Sequence, residues 1–202
     1  MKLNALELRR LEEDRARGVI KKIKRNPIYF ILEDIYDTYN IGGLFRLADA
    51  LAIEKMYLVG ETETPPNSRI KKASIGTYKV VPWEYKKTTK EAIEQIKSKV
   101  KSQKLKFEVK SQKQEKKLQV TSYRLQVFAV EQHKNSIPYT KAMYSFPLVL
   151  IFGNESFGVK EETLKLADQI VEIPMYGINK SLNVIVAAGI VSYFAARLLI
   201  EK

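Results

Sequence analysis

Short apolar runs alternate with helical patterns along most of the chain, and this alternation constrains the fold more than any other feature. The strand candidates are Ile28–Leu32, Lys55–Val59, Tyr78–Pro82, Leu125–Val130, Leu148–Phe152 and Gln169–Ile173. The helix candidates are Ile41–Ala52, Lys87–Val100, Lys160–Ala167 and Ser181–Ile200. Strand, helix and strand repeated in this way predict an α/β fold, a mostly parallel sheet with helices on both faces. Such sheets bind ligands at the carboxyl ends of their strands.

The positive charge is concentrated in two segments. The 202 residues include 35 Lys and Arg against 23 Asp and Glu, a formal net charge of +12. Residues 1–25 carry a net charge of +5 and residues 97–117 a net charge of +7, whereas the other residues sum to zero. This excess indicates a polyanionic partner, with nucleic acid favoured over a membrane surface. The alternative is that both runs are only solubilising faces.

The two basic segments also set the predicted domain organisation. Residues 1–25 are predicted to be a basic N-terminal extension, helical over residues 1–17. Residues 26–202 are predicted to form one domain that contains a basic, low-complexity insert at about residues 97–117. The insert carries the sequence VKSQK twice, at 100–104 and 109–113. Since this duplication is short and polar, we expect an inserted, mobile arm rather than a structural repeat.

Composition excludes several kinds of chemistry. The chain has no Cys and a single His, so thiolate metal sites, disulfides and cysteine nucleophiles are excluded, and no metal is expected. His133 is predicted to be an exposed loop residue. The most hydrophobic stretch without a charge, residues 184–196, has 13 residues, short of the roughly 20 that span a bilayer. We therefore expect a buried or interface helix there, and a cytoplasmic protein without a targeting signal.

Three glycine-rich clusters follow predicted strands. They are Asn40–Ala50, Phe152–Gly158 and Ile173–Val184, and they carry the Asn, Arg, Glu and Ser side chains of a ligand site. Taken singly, the glycines also suit tight turns and the polar residues suit helix caps. No strand is followed by Gly-x-Gly-x-x-Gly, and Ser156 lacks the flanking glycines of a nucleophile elbow.

In this order and spacing, the clusters resemble the SpoU/TrmH family of SPOUT-class RNA ribose 2′-O-methyltransferases. The first motif of the family matches Asn40, Gly42 and Arg46, and the second matches Gly153, Glu155 and Gly158. The third matches Ile173–Met175, Gly177 and Ser181–Val184. The resemblance covers residues from about 27 to 200. The chain departs from many relatives at Thr38-Tyr39, where they carry Pro-His or Pro-Gly, and at Ile185, where they carry Ser.

The resemblance implies a C-terminal deep trefoil knot (the SPOUT, or alpha-beta knot, fold) and a homodimer. It implies that S-adenosyl-L-methionine is the cofactor, bound near Gly153, Ile173, Met175 and Leu182. The catalytic residues that it implies are Arg46, Asn40, Glu155, Ser181 and Asn183.

Each catalytic residue has an expected role. Arg46 acts on the acceptor as a general base or as a phosphate clamp, and the clamp is favoured because a guanidinium stays protonated. Asn40 is expected to position Arg46 or the nucleotide. Glu155, near the start of the helix predicted at Lys160, is expected to organise the acceptor loop, favoured by that helix dipole. Ser181 and Asn183 are expected to open the last helix.

The resemblance also leaves alternatives open. Arg69, Lys71 and Lys72 either contact RNA phosphates or form a solvated basic turn. The expected substrate is structured tRNA or rRNA, and the motifs do not distinguish between them. The alternative function is a catalytically silent RNA-binding or assembly protein on the same fold.

Overall fold

The structure, a computed structural model, describes residues 23–112 and 124–200. The helix predicted over residues 1–17 and the last part of the basic insert lie outside the described residues. The strands are β1 (Asn26–Glu33), β2 (Ile53–Val59), β3 (Trp83–Lys86), β4 (Gln126–Val130), β5 (Ile137–Pro138), β6 (Leu148–Phe152) and β7 (Gln169–Glu172). The helices are α1 (Thr38–Ala50), α2 (Ser68–Ser74), α3 (Thr89–Gln112), α4 (Glu161–Leu164) and α5 (Val184–Ile200).

The seven strands form one sheet in the order β3-β2-β1-β6-β4-β7-β5, and every neighbouring pair is parallel. This confirms the predicted α/β class. Because parallel strands end at the same edge of a sheet, the exits of β1, β6, β4 and β7 lie side by side. The trefoil knot stays a prediction from the resemblance.

Helices cover both faces of the sheet, as predicted. Alternate residues of β1 face opposite sides of the sheet. Ile28, Phe30 and Leu32 pack with apolar residues of α1 and α5. Tyr29 and Ile31 pack on the other face with apolar residues of α3 and α4. Since both faces are buried, the central strands are apolar runs, and polar side chains appear where these strands end.

The strand predicted at Tyr78–Pro82 is wrong. Residues Thr77–Lys79 form a 3-10 helix that follows Gly76, whose φ of 89° places it in the left-handed region. The Thr77 hydroxyl donates to the Ser74 carbonyl and continues the turn. The strand starts later, at β3, and the Pro82 carbonyl accepts from the Met56 amide at its entry. The local β-branched pattern was overridden by this turn.

Helix bounds also differ from the predictions. Helix α3 continues to Gln112 instead of ending at Val100, so the first VKSQK copy is helical rather than an irregular arm. The sequence offers no Gly or Pro to stop it before Gln112.

Helix α2 was not predicted, and its N-cap is Asn67, whose side chain accepts from the Arg69 amide. Within the described ranges, no helix is long and apolar enough to cross a membrane.

Candidate active site

The exits of β1, β4, β6 and β7 enclose a cleft of about 840 Å³. Cofactor and catalytic residues predicted from all three motifs line it. They are Asn40, Gly153, Glu155, Ile173, Met175, Ser181, Leu182 and Asn183. The fold therefore brings three distant parts of the sequence together at one sheet edge.

A chain of side-chain hydrogen bonds joins the three motifs at this cleft. The Asn183 amide nitrogen donates to Asn40 Oδ1 at 3.0 Å. The Asn40 amide nitrogen donates in turn to Glu155 Oε1 at 2.8 Å. Because a carboxylate only accepts, Glu155 fixes which way the Asn40 amide points. Asn40 is buried, 5% exposed, whereas Glu155 is exposed.

The Glu155 carboxylate contacts the start of α1. It had been predicted to lie near the start of the helix that follows it in sequence. Helix α4 begins at Glu161, beyond the turn that carries Glu155. Instead, the amides of Tyr36 and Asp37 donate to Glu155 Oε2 and Oε1, each at 3.4 Å. Both residues precede α1, whose N-terminal dipole favours a nearby carboxylate. These are long contacts, so Oε2 keeps most of its capacity to accept another hydrogen bond.

A tight turn holds Glu155 in place. The Asn154 side chain donates to the Asp34 carbonyl at 2.6 Å and accepts from the amides of Ser156 at 2.8 Å and Phe157 at 3.0 Å. The backbones of Asn154 and Gly158 also exchange two hydrogen bonds. Gly158 has a φ of 69°, which favours glycine. The turn is thus tied to the end of β1 on one side of Glu155.

The third motif runs as an irregular loop before α5. Asn183 accepts from the Ile185 amide at 2.8 Å, which makes it the capping residue of α5. Ser181 precedes the helix, so the expectation that it opens the last helix is wrong, although Asn183 fits its expected place. Ser181 is exposed and lines the cleft.

Two cleft residues that the sequence analysis missed connect the second and third motifs. Glu131, directly after β4, accepts from the Val159 amide at 2.8 Å. Gln132 donates through its side chain to the Lys180 carbonyl. A Cβ on Gly158 would lie 2.1 Å from Glu131 Oε2, so glycine is required for this approach. The signal was present in the sequence, because these polar residues also stand at a strand exit.

The basic residues predicted to act on RNA lie apart from the cleft. Arg46 is exposed on α1, about 9 Å along the helix axis from Asn40 given six residues at 1.5 Å each. Arg69, Lys71 and Lys72 are exposed on α2, in a helix rather than a basic turn. Helix α2 packs closely on α1, since a Cβ on Gly42 would lie 2.4 Å from that of Ala73. Of the residues that line the cleft, none is one of these four.

His133 differs from its prediction in one respect. It lies in the loop after β4 as expected, but its side chain is only 16% exposed. Its Nδ1 accepts from the Asn135 amide at 3.2 Å. Among the residues of the described ranges, no group of three or more His, Asp or Glu could hold a metal ion.

The model of the SpoU rRNA Methylase family matches residues 27–193. The chain belongs to this family. A tRNA (guanosine(18)-2′-O)-methyltransferase of Aquifex aeolicus is 29% identical over 194 residues, which are 93% of this chain and 77% of the relative.

Solved structures agree with this SpoU-family assignment. The AdoMet-bound rRNA methyltransferase from Sinorhizobium meliloti has a TM-score of 0.69 at 27% identity, over 87% of this chain and 58% of that one. The A. aeolicus TrmH/SpoU tRNA modifying enzyme has a TM-score of 0.67 at 26% identity, over 96% and 85%. The chain therefore spans less than two thirds of the Sinorhizobium protein.

The cleft of this SpoU-family chain fits a nucleoside-sized cofactor. Its volume lies within the range of about 300–1,000 Å³ that small-molecule sites occupy. At its floor, a Cβ on Gly153 would lie 2.3 Å from the Val159 nitrogen. The two ends of the loop after β6 therefore pack backbone against backbone there.

Proposed function

We propose that this chain transfers a methyl group from S-adenosylmethionine to a ribose 2′-hydroxyl of tRNA or rRNA. The observation that carries the proposal is the chain of hydrogen bonds from Asn183 through Asn40 to Glu155, beside a cleft of cofactor size. The names of the family and of its relatives support the same reaction. Both tRNA and rRNA enzymes are among those relatives, so the RNA class is left to experiment.

The cofactor is assigned to the part of the cleft between the second and third motifs. Gly153, Ile173, Met175 and Leu182 line this part, and their backbone groups are suited to hold the adenosine and methionine portions. When bound, S-adenosylmethionine supplies an electrophilic methyl group on a sulfonium. Glu131 bonds to the loop after β6 and Gln132 to the loop after β7, so these two residues join the loops that the cofactor is assigned to.

The acceptor ribose is assigned to Glu155. Its Oε2 retains acceptor capacity, so it can accept a hydrogen bond from the 2′-hydroxyl, orient that oxygen, and take up its proton when the oxygen gains the methyl group. Asn40 holds the carboxylate, and Asn183 holds Asn40. Ser181, exposed in the same wall, provides a hydroxyl that can contact the ribose.

Arg46 is assigned to a phosphate of the acceptor strand. A general base must come within hydrogen-bond reach of the proton that it removes, and Arg46 lies outside the cleft lining. A guanidinium also stays protonated and binds phosphate bidentately. Arg69, Lys71 and Lys72, on the helix packed against α1, extend this basic surface.

The role of Arg46 is tested by Arg46→Lys in single-turnover methylation across pH. The clamp predicts a lower rate, because a lysine cannot make the bidentate contact, and a pH profile whose inflection does not move. An unchanged rate with the inflection shifted to the pKa of the lysine would contradict the clamp.

Outside the cleft, we propose a homodimer formed through α5. Val186 and Tyr193 are 48% and 50% exposed on this helix, and Gly189 between them has open space above it. A second copy would cover this apolar stripe.

We further propose a cytoplasmic location, the knot of the family, and RNA contacts by the extension at 1–25 and the basic insert at about 97–117. Deletion of residues 1–22 should weaken RNA binding and flatten its salt dependence.

The proposed function is tested in two steps. Calorimetry measures the binding of S-adenosylmethionine, and radiolabelled methyl transfer is then measured on the tRNA and rRNA of cells that lack the protein. We expect micromolar-range cofactor binding and label recovered as one 2′-O-methylnucleoside. Tight RNA binding without transfer to either fraction would instead support a catalytically silent RNA-binding protein.

A further inference from the structure

Two exposed aromatic side chains stand in the wall of the cleft. Phe157 is 86% exposed and Tyr36 is 54% exposed, and both line the cleft. Phe152, which also lines it, is buried in the core. An isolated exposed aromatic residue is ordinary on a protein surface. Here, however, two of them lie in one cleft wall, beside the residue assigned to the acceptor ribose.

The backbone under each ring is held by the same part of the site. The Phe157 amide donates to Asn154 Oδ1 at 3.0 Å, and the Tyr36 amide donates to Glu155 Oε2 at 3.4 Å. Phe157 follows Glu155 by two residues in the turn, whereas Tyr36 comes from the loop between β1 and α1. The rings therefore start from backbone positions that adjoin Glu155 from two different segments.

We propose that Tyr36 and Phe157 form a stacking site for a nucleobase of the RNA strand that presents its ribose to Glu155. The inference rests on the proposed function, because it takes Glu155 as the neighbour of the 2′-hydroxyl. In a nucleotide the base is attached to the carbon next to the one that carries this hydroxyl. A ribose at Glu155 therefore brings its base to the same cleft wall. Proteins recognise unstacked RNA bases by stacking them on aromatic side chains.

RNA is favoured over a second copy by charge outside the cleft rather than in it, since the lining has four carboxylates, Asp37, Glu131, Glu155 and Glu172, against Lys180. Lys180 is exposed at the same cleft and can meet a phosphate of the strand. The net charge of +12 lies in residues 1–25 and 97–117, so these segments attract a polyanion to the chain and repel a second copy. The exposed stripe of α5 already offers a separate surface for a second copy.

The test compares Phe157→Ala, Phe157→Tyr and Tyr36→Ala with the control Met143→Ala. Met143 is 85% exposed, as Phe157 is, but does not line the cleft. The probes are labelled tRNA and rRNA prepared from cells that lack the protein. We expect Phe157→Ala to raise the Kd for the RNA roughly ten-fold, and Tyr36→Ala to raise it less, because removing one stacked ring costs about that much. Phe157→Tyr should restore most of the affinity, and the Kd for S-adenosylmethionine should not change.

The outcomes separate this inference from the function on which it rests. If the wild type transfers no methyl group, the proposed function fails, whereas the RNA affinities still decide the stacking site. If Phe157→Ala and Met143→Ala bind RNA equally well, the stacking site is overturned. A fall in RNA affinity that accompanies a change in oligomeric mass by light scattering would also overturn it, because the ring would then belong to a contact between subunits.

Discussion

Glu33 and Glu155 stand at the exits of neighbouring strands, yet their surroundings are opposite. Strands β1 and β6 pair with Leu32 beside Phe152, so both carboxylates lie at the same edge of the sheet. Glu33 is 3% exposed and accepts from the hydroxyls of Thr89 and Thr163 and from the Lys160 amide, at 2.5, 2.6 and 3.0 Å. Glu155 is exposed, with one short bond to Asn40 and two long amide contacts.

The difference separates a structural carboxylate from one available for chemistry. Glu33 is saturated by donors from the starts of α3 and α4, so it fastens both helices to the sheet edge. A buried carboxylate is tolerated only with such partners. Glu155 instead accepts a short hydrogen bond from Asn40 on one oxygen, and its other oxygen can accept one from a substrate. The number and length of the bonds a carboxylate receives thus distinguish the two roles better than its place at a strand exit.

The largest expected effect belongs to Glu155. Glu155→Gln should lower kcat about 100- to 1,000-fold, because the amide cannot both hold Asn40 and accept from the ribose hydroxyl. The free energy of unfolding should change by less than about 1 kcal/mol, since the side chain is exposed. Single-turnover transfer and urea unfolding measure the two quantities. Glu162→Gln, at an exposed position of α4, is the matched control and should retain full activity. A large fall in the free energy of unfolding of Glu155→Gln would mean that Glu155 has a structural role, as Glu33 does.

Glu33→Ala is predicted to do the reverse. It leaves two threonine hydroxyls and one amide without their acceptor, and each unsatisfied buried donor costs about 1–3 kcal/mol. We expect the free energy of unfolding to fall by about 3 kcal/mol, measured by urea denaturation. For the fraction that remains folded, the Kd for S-adenosylmethionine should stay within about three-fold. A loss of activity larger than the loss of folded protein would mean that Glu33 also serves the reaction.

Glu131 is intermediate between Glu33 and Glu155. Its carboxylate already accepts a hydrogen bond from the backbone, as that of Glu33 does, but it lies in the cleft. Glu131→Gln weakens the contact with the Val159 amide and with it the tie between β4 and the second motif. We expect the Kd for S-adenosylmethionine to rise about five-fold, the equivalent of one weakened hydrogen bond of about 1 kcal/mol. Calorimetry checks the change, and kcat at saturating cofactor should fall much less. A drop in kcat with an unchanged Kd would assign Glu131 to the acceptor side.

The smallest effect is expected at Glu84, on the edge strand β3. Hydrogen bonds from Lys55 and Lys86 lower the pKa of Glu84 from 4.5 to about 2. Since the folded pKa lies below the ordinary one, the stabilisation is complete above about pH 4.5 and is lost as pH falls through about 2. The side chain is a third exposed, so Glu84→Gln should cost only about 0.5 kcal/mol at pH 7. Urea unfolding at pH 7 and near pH 2 should show this difference shrinking, whereas a constant difference would contradict the ion pair as its cause.

Much of the fold could be predicted because short stretches of the sequence determine their own secondary structure. Strand β6 appeared with its observed bounds, since five consecutive apolar residues between a proline and a glycine leave few alternatives. The region Tyr78–Pro82 failed for the opposite reason. Its β-branched residues favour a strand, but the left-handed Gly76 and the bond from Thr77 to Ser74 turn the chain first.

The candidate site was predicted in its composition but not in its contacts. Glycines and polar residues at strand exits marked Asn40, Glu155 and Asn183, yet the bond between Asn40 and Glu155 joins residues 115 apart, which no local pattern encodes. The same limit explains why Glu155 was assigned to the helix that follows it in sequence rather than to α1. Glu131 was passed over because it lies outside the three glycine-rich clusters, and Phe157 because, although inside the second cluster, it is not one of the residues that match the family motif.

The most direct test measures methyl transfer by the wild type and by Glu155→Gln, with the RNA digested to nucleosides and analysed by mass spectrometry. We expect a single 2′-O-methylnucleoside from the wild type. Glu155→Gln should yield at most about one hundredth of it while binding S-adenosylmethionine with an unchanged Kd. A methyl group on a base instead of a ribose would contradict the proposed reaction, and equal transfer by the two proteins would contradict the assignment of the acceptor ribose to Glu155.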